Sequence, residues 1–435
     1  MQSSFERFIV ENAEAEISRL LLSRIEWPSP PADPILSSFD GKELAISTIE
    51  ARQKLRDKVP EWYSLTSLVY TSALCAEQCS SSVTARYKAV LAGRILEDVP
   101  GRIADLTGGL GIDSWAFSSI ASEVLYNERD SSLASAAKHN FAEFDARNIR
   151  VENSEVGKGS LGSLLAGFAP DLIFLDPARR DNSGGKVFLL EDCSPNVLDL
   201  VPELFRYSRN ILLKLSPMAD VTMVVERLNH SYETALMEGG SEGWNGNWVR
   251  EIHVVASGGE CKELLVWMDR EWKGEYSVTC REDGGSLLFS SEEIRSSKAV
   301  LPEAVGLKYI FEPGKSLAKA GVFNALCSRF GLVKLARSTN LFSSPSHVIL
   351  SEAKDLFNFG KIFKVTEVVR MNKAGMRDVG KRYPKSEVSA RNIPLTSAEL
   401  RSRLGVKSGD DAHIFGVRIE TPFQADNFLL VCHRI

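Results

Sequence analysis

The sequence predicts an α/β protein: a central parallel sheet wrapped by helices on both faces, preceded by an all-helical region and followed by smaller α+β parts. Three observations carry this. Residues 1–95 repeat apolar positions at helical spacing, as in "VTARYKAVLAGRILE" (83–97), without a convincing run of alternating strand residues. From about residue 100, short β-rich runs alternate with helical stretches such as "DSSLASAAKHNFAEF" (130–144). These runs are "RIADL" (102–106), "EVLYNE" (123–128), "IRVEN" (149–153), "DLIFLD" (171–176) and "NILLKL" (210–215), and such alternation builds parallel strands joined by helical crossovers. Finally, "WVREIHVVAS" (248–257) and "CKELLVWMD" (261–269) are separated only by "GGE" and predict an antiparallel hairpin at one edge of the sheet.

Beyond about residue 275 the regular alternation is lost. "LKYIFEPGKSLAKAGVFNALCSRF" (307–330) reads as a strand, a turn at Pro313-Gly314 and a helix. "KIFKVTEVV" (361–369) opens a further segment with "SEVSARNIPL", a helical "TSAELRSRLGV" and the hairpin-like pair "AHIFGVRIE" and "NFLLVCHRI". The expected division is 1–95 (helical), 96–272 (central sheet), 273–345 (a small α+β, ferredoxin-like region) and 346–435 (a C-terminal α+β domain), which suits a chain of 435 residues.

Composition narrows the class. Hydrophobic residues make up 44% and charged residues 25%, ordinary for a soluble globular protein, and no apolar run approaches the roughly 20 residues of a membrane span. The first 25 residues alternate charged and apolar side chains and lack the uninterrupted apolar segment of a signal peptide, so a cytoplasmic location is expected. The seven cysteines show no repeated spacing; Cys75 and Cys79 in "CAEQC" read as ordinary half-buried thiols, and no metal site is expected. The net charge of −5 is unevenly spread: between Lys361 and Gly409 stand twelve Lys or Arg against four Asp or Glu. That basic stretch would face an anionic partner, or else form a solvated surface with no partner.

The chemistry concentrates at the ends of the predicted strands. "RIADLTGGLGIDSWAF" (102–117) runs a buried strand into a turn bearing Gly108, Gly109 and Gly111. The first N–H groups of the following helix have no intrahelical partner there, and glycines let a ligand approach the main chain. Ser114 stands where a dinucleotide fingerprint has its third glycine or alanine. Asp105 precedes the turn, Asp113 follows it, and Glu128 ends the next strand, placed to accept both hydroxyls of a ribose. Acids beside the turn would repel a pyrophosphate and suit a cationic ligand, which favours S-adenosylmethionine over a nicotinamide dinucleotide. In "DLIFLDPARRD" (171–181), Asp176-Pro177 ends the fourth strand at the sheet's carboxyl edge, where the proline fixes the turn and leaves the Asp176 side chain and nearby carbonyls to face the cleft. Arg179 follows in place of an aromatic residue and would stack on a base or hold a phosphate; the alternative is that Arg179 and Arg180 only pair with Asp181 and Glu191. Lys214 and Ser216-Pro217 would wall an acceptor pocket, with a plain strand-end role for Lys214 as the alternative.

Through "DLTGGLG", "NERD" and "LDPARRD" together, the chain resembles the class I S-adenosylmethionine-dependent methyltransferases, with their Rossmann-like sheet. More narrowly, it is similar to a bacterial group of these proteins with a helical N-terminal region and a THUMP-like C-terminal domain, through "LDPARRDNSGGKVFLLEDCSPNV", "ILLKLSPM", "YIFEPGKSLAKAGVF" and "RNIPLTSAELRSRLGVKSGDDAHIFGV". This resemblance implies five parallel strands plus an antiparallel hairpin. It also implies cofactor contacts at Asp105, Thr107, Gly108, Gly109, Gly111, Asp113, Glu128 and Arg129, with Asn153 or Ser154 near the adenine. On the substrate side it implies Asp176, Pro177 and Arg179 as catalytic residues. Since THUMP domains accompany RNA-modifying enzymes, structured RNA, rRNA or tRNA, is the implied partner. The expected function is base methylation of RNA. The alternatives are a catalytically silent protein that binds the cofactor and RNA, or a small-molecule methyltransferase.

Overall fold

The computed structural model describes residues 3–23, 25–179, 190–239, 247–305, 307–344 and 354–435. The chain divides into two compact units, Met1–Arg250 with Leu264–Gly274, and Glu251–Glu263 with Glu275–Ile435.

In the first unit, helices Ser4–Glu11, Ile17–Leu22, Gly41–Leu55, Pro60–Ser64, Ala73–Gln78 and Ser82–Ile95 precede the sheet. Their boundaries are written locally. Ser3, Asp40, Ser72 and Ser81 each accept a backbone N–H of the first turn of their helix, and Ser81 forms a reciprocal capping box with Thr84. Phe5, Ile9, Leu44, Ile49 and Val69 form an apolar core that also takes in Ala136, on the helix that follows the second strand. Trp62 extends this junction by packing edge-to-face against Trp115 and at a tilt against Phe144. The helical region is thus packed onto the sheet's own helices.

The sheet begins with β1 (Arg102–Asp105), β2 (Glu123–Asn127), β3 (Ile149–Glu152) and β4 (Leu172–Leu175). A short antiparallel pair, β5 (Ala178–Arg179) with β6 (Cys193–Ser194), stands apart from it, and β7 (Asn210–Leu215) completes the parallel set. β1 pairs in parallel with β2 on one side and β4 on the other, β2 continues to β3, and β4 to β7. The order β3-β2-β1-β4-β7 puts the switch in winding direction between β1 and β4. A cleft opens there because successive crossover helices leave toward opposite faces. Residues Leu172 to Leu175 are wholly buried, as a strand covered on both faces requires.

The hairpin of β8 (Val249–Ser257) and β9 (Glu260–Asp269) turns through Gly258 and Gly259, both at positive φ. β9 lies antiparallel to β7 as expected. The hairpin does not close an edge, however, because β10 (Ser277–Glu282) pairs in parallel with β8 and β11 (Gly285–Ser290) follows antiparallel. Helix Ser291–Ser296 comes next. In the sequence this stretch reads only as a loss of alternation, since adjacent Leu287 and exposed Leu288 break the apolar–polar pattern of β11.

The second unit also holds a mixed sheet of β12 (Tyr309–Pro313), β13 (Val333–Lys334), β14 (Phe342–Ser344), β15 (Gly360–Arg370), β16 (Lys385–Arg391), β17 (Lys407–Glu420) and β18 (Ala425–Arg434), in the order β13-β14-β12-β15-β18-β17-β16. The turn at Pro313-Gly314 leads into two helices rather than one, Lys315–Ala320 and Phe323–Phe330, because Gly321 at φ 69° breaks the run. Helices Lys373–Arg382 and Ser397–Leu404 cover β17 and β18 through Val379, Leu400, Leu404, Ile414, Leu429 and Val431.

Candidate active site

The glycine turn follows β1, whose last residue, Asp105, is 1% exposed. One Asp105 oxygen accepts the Thr107 N–H (3.2 Å) and the other the Ser114 hydroxyl (2.6 Å). Ser114, the departure from a dinucleotide fingerprint, therefore holds the buried acid. Burial pushes the Asp105 carboxyl up to about 7; the Ser114 hydrogen bond opposes the rise and the nearby Asp113 charge adds to it.

The three glycines do different work. A Cβ on Gly108 would lie 2.1 Å from the Tyr126 ring, and one on Gly111 2.5 Å from Phe141, so both are bare because aromatic rings fill the space behind them. Gly109 has φ 55° and nothing within 4 Å of a virtual Cβ, so it is the glycine that opens onto free space. Its N–H donates to Glu128 Oε2 (3.0 Å), and the Tyr126 hydroxyl donates to its carbonyl (2.6 Å). Glu128 Oε1 accepts the Asp130 N–H (2.9 Å). Each Glu128 oxygen thus spends one lone pair on the backbone and keeps another. Arg129 is exposed beside it.

The loops after β2 and β3 are laced together. Asn153 Nδ2 donates to the carbonyls of Glu128 (2.7 Å) and Arg129 (3.0 Å), and Ser154 donates both its N–H (3.1 Å) and its hydroxyl (3.0 Å) to Asn127 Oδ1. Asn127, in turn, donates to the carbonyls of Leu106 and Ser154. Sequence reasoning missed Asn127, although an amide inside the apolar run "EVLYN" was a readable signal. Asp113 points to the helical region: the Ser80 hydroxyl donates to Oδ2 (2.8 Å), and Lys88 Nζ, on a side chain with no exposure, is 3.2 Å from Oδ1. Ser80 and Lys88 carried no signal before the fold was known.

At the end of β4, the Asp176 N–H donates to Thr107 Oγ1 (2.6 Å), which ties the two sides of the switch point. Asp176 Oδ2 is 2.5 Å from Lys214 Nζ, on β7. Pro177 is half-buried next to it. The backbone of Arg179 pairs with Cys193 in the β5–β6 ribbon, and its side chain, like Arg180 and Asp181, lies outside the described residues. Ser216 Oγ accepts the Met218 N–H in the turn after β7.

The carboxyl ends of β1, β2 and β4 therefore bring together Asp105, Gly109, Glu128 and Asp176, an acidic cleft with bare backbone on one side and the Asp176–Lys214 ion pair on the other. A groove of about 460 Å³ lined by Gly101, Asp171, Arg206 and Arg209 lies at the opposite, amino edge of the same strands, where sheets of this kind do not place their ligands. Among the described residues no three or more His, Cys, Asp or Glu are grouped to hold a metal ion, and no helix is long and apolar enough to cross a membrane.

This is a methyltransferase fold carrying a THUMP-like C-terminal domain. Residues 360–434 match the family described as THUMP domain-like, and residues 309–349 match a ferredoxin-like domain family. The structure is similar over its whole length to a "putative methyltransferase" from Porphyromonas gingivalis, with 29% identity, 99% of this chain and 97% of that chain covered, and a TM-score of 0.79. Partial likenesses include the T. thermophilus 16S rRNA N2 G1207 methyltransferase in complex with AdoMet and guanosine, at 16% identity, 44% of this chain and 43% of that one, and a TM-score of 0.29. No curated protein matches the chain.

Proposed function

We propose that the protein is an S-adenosylmethionine-dependent methyltransferase that modifies a base in structured RNA. The observation that carries this reading is the cleft at Gly109 and Glu128, a turn whose Gly109 backbone has no side chain and faces free space, flanked by Asp105 and Asp176. A cofactor with a sulfonium and an ammonium group and a ribose fits these groups: an acidic rim, a carboxylate with free lone pairs to accept from ribose hydroxyls, and room against the backbone. When bound, it supplies an electrophilic methyl group.

The residues of the chain then bind and orient. Glu128 holds the ribose hydroxyls, while Asp105, locked by Ser114, provides negative charge beneath the glycine turn. Asn153 and Ser154 set the adenine side by fixing the β3 loop. Thr107 fixes the start of the Asp176 turn, and Lys214 occupies Oδ2 of Asp176, so that Oδ1 is left to accept a hydrogen bond from the acceptor amine. Pro177 removes a competing donor beside it.

The basic C-terminal stretch supports RNA as substrate. Among the described residues, Arg370, Arg382, Arg391 and Arg401 are in ion pairs, with Asp426, with Glu367 and Asp378, with Glu312 and with Glu387. Lys373, Arg377 and Lys381 recur every four residues along one exposed helix with no ion pair among the described residues, an arrangement suited to a phosphate backbone. The test is nucleoside mass spectrometry of total RNA from cells with and without the gene. Loss of one methylated nucleoside is expected, and an unchanged set would overturn RNA methylation.

A further inference from the structure

Gly109 lies at φ 55° with nothing within 4 Å of a virtual Cβ. A glycine in open space can leave positive φ at little cost, so neighbours have to impose its conformation. We infer that Tyr126 imposes it and is a positioning residue of the cofactor cleft. From beneath the turn its hydroxyl holds the Gly109 carbonyl, which keeps the Gly109 N–H on Glu128 and sets the ribose acid before the cofactor arrives. This rests on the cofactor site proposed above.

The turn closes through the Gly111 N–H on the Gly108 carbonyl (2.9 Å), and the end of β2 grips it from one side, where the Asn127 carbonyl accepts the Gly108 N–H (2.8 Å). Both polar groups of Gly109 go to the residues flanking Asn127: its N–H to Glu128 Oε2 (3.0 Å), and its carbonyl to the Tyr126 hydroxyl (2.6 Å). Tyr126 and Glu128 stand two positions apart, as alternate residues of a strand that reach one side do. The other Glu128 oxygen accepts the Asp130 N–H (2.9 Å). The acid thus has two backbone anchors, and one of them is only as firm as Gly109 itself.

The tyrosine is placed to be rigid. It has no exposure, its ring fills the space under Gly108, where a Cβ would lie 2.1 Å away, and it meets Phe141 edge-on with centroids 5.4 Å apart. Phe141 in turn lies under Gly111, 2.5 Å from a virtual Cβ. Between these contacts the hydroxyl has one position, against the Gly109 carbonyl. Burial raises the phenol well above its ordinary range and the Glu128 carboxylate adds to the rise, so the group stays protonated and donates. Packing under the turn asks only for the ring, which phenylalanine would supply. The hydroxyl adds the hold on Gly109; without it the glycine is free to turn, and Glu128 must be ordered by the ligand, which weakens binding.

The test compares wild type, Tyr126→Phe, Glu128→Ala and the double variant as full-length proteins, with S-adenosylhomocysteine binding read by calorimetry. Phenylalanine keeps the ring under Gly108, so Tyr126→Phe removes the hydrogen bond alone. It should weaken binding about 10-fold, the scale of one lost hydrogen bond. Where Glu128 is already alanine the further loss should be less than about twofold, because the hydroxyl acts through that acid. In the unliganded protein, deuterium uptake by residues 107–111 should speed up about 10-fold in Tyr126→Phe while uptake by Leu172–Leu175 is unchanged. Wild-type affinity in Tyr126→Phe, an equal loss in both backgrounds, or unaltered exchange in the turn overturns the positioning role alone. Absence of binding to the wild-type protein overturns the cofactor site with it.

Discussion

Of the neighbouring strands at the switch point, β1 ends in an aspartate and β4 is followed directly by one, and the two acids are treated in opposite ways. Asp105 is sealed under the glycine turn, satisfied by one hydroxyl and one amide, and burial raises its carboxyl to about 7. Asp176 is partly open, with its side chain 35% exposed and an ammonium against one oxygen. The difference separates two tasks that the sequence writes with the same letter. A sealed acid gives an electrostatic background that changes only with its own protonation near 7, while an open acid with a counter-ion and a free oxygen can meet an incoming group.

The strongest test of that contrast is Asp176→Ala. It should lower methyl transfer to cellular RNA by about 10³-fold, with cofactor affinity within about twofold of wild type by calorimetry. If affinity falls in step with transfer, Asp176 belongs to the cofactor side and the division fails.

The β1 side is sharpened by a pair of glycine substitutions. Gly108→Ala drives a methyl group into the Tyr126 ring and should cost about 2 kcal/mol of stability in denaturant unfolding. Gly109→Ala meets no neighbour but must hold φ 55°, so it should cost about 1 kcal/mol and act mainly on cofactor affinity. Equal losses at both sites would show that Gly109 does not face an open cleft.

Asp105 makes a pH prediction with two signs. Its carboxyl is neutral below about 7 and charged above it, so affinity for the cationic cofactor should rise about 10-fold as pH increases through that range, with proton release visible in calorimetry. Stability moves the other way. The unfolded carboxyl ionises near its ordinary value of about 4, so the folded state loses stability as pH rises from there to about 7 and no more beyond it. Asp105→Asn should flatten both profiles.

The smallest effect is expected far from both acids. Arg377→Glu in the exposed helix Lys373–Arg382 should weaken RNA binding severalfold and reduce the salt dependence by about one or two counter-ions, without changing cofactor affinity. An unchanged salt slope would assign that helix to a solvated surface.

Much of this was legible in the sequence because it is local. The period-two and period-3.6 patterns marked the five parallel strands and their crossovers, and proline and glycine marked the turns. The acids at residues 105, 128 and 176 stood out because each ends an apolar run. The β10–β11 pair was not legible, since apolar Leu288 takes an exposed position of β11 and "GSLLFS" therefore shows no apolar–polar alternation. Ser114 read as a missing glycine, and only the fold shows that its hydroxyl is the partner of Asp105.

By itself the sequence determined which segments are strands and where acids and bare backbone meet the carboxyl edge, because burial and turn chemistry act between residues a few positions apart. The tertiary structure decided what those acids do. Asp113 takes Lys88 and Ser80, Asp176 takes Lys214, and Asn127 ties three loops. These partners lie 21 to 38 positions away in the chain, and pairings over that distance are fixed by packing of the whole core, which local patterns do not encode.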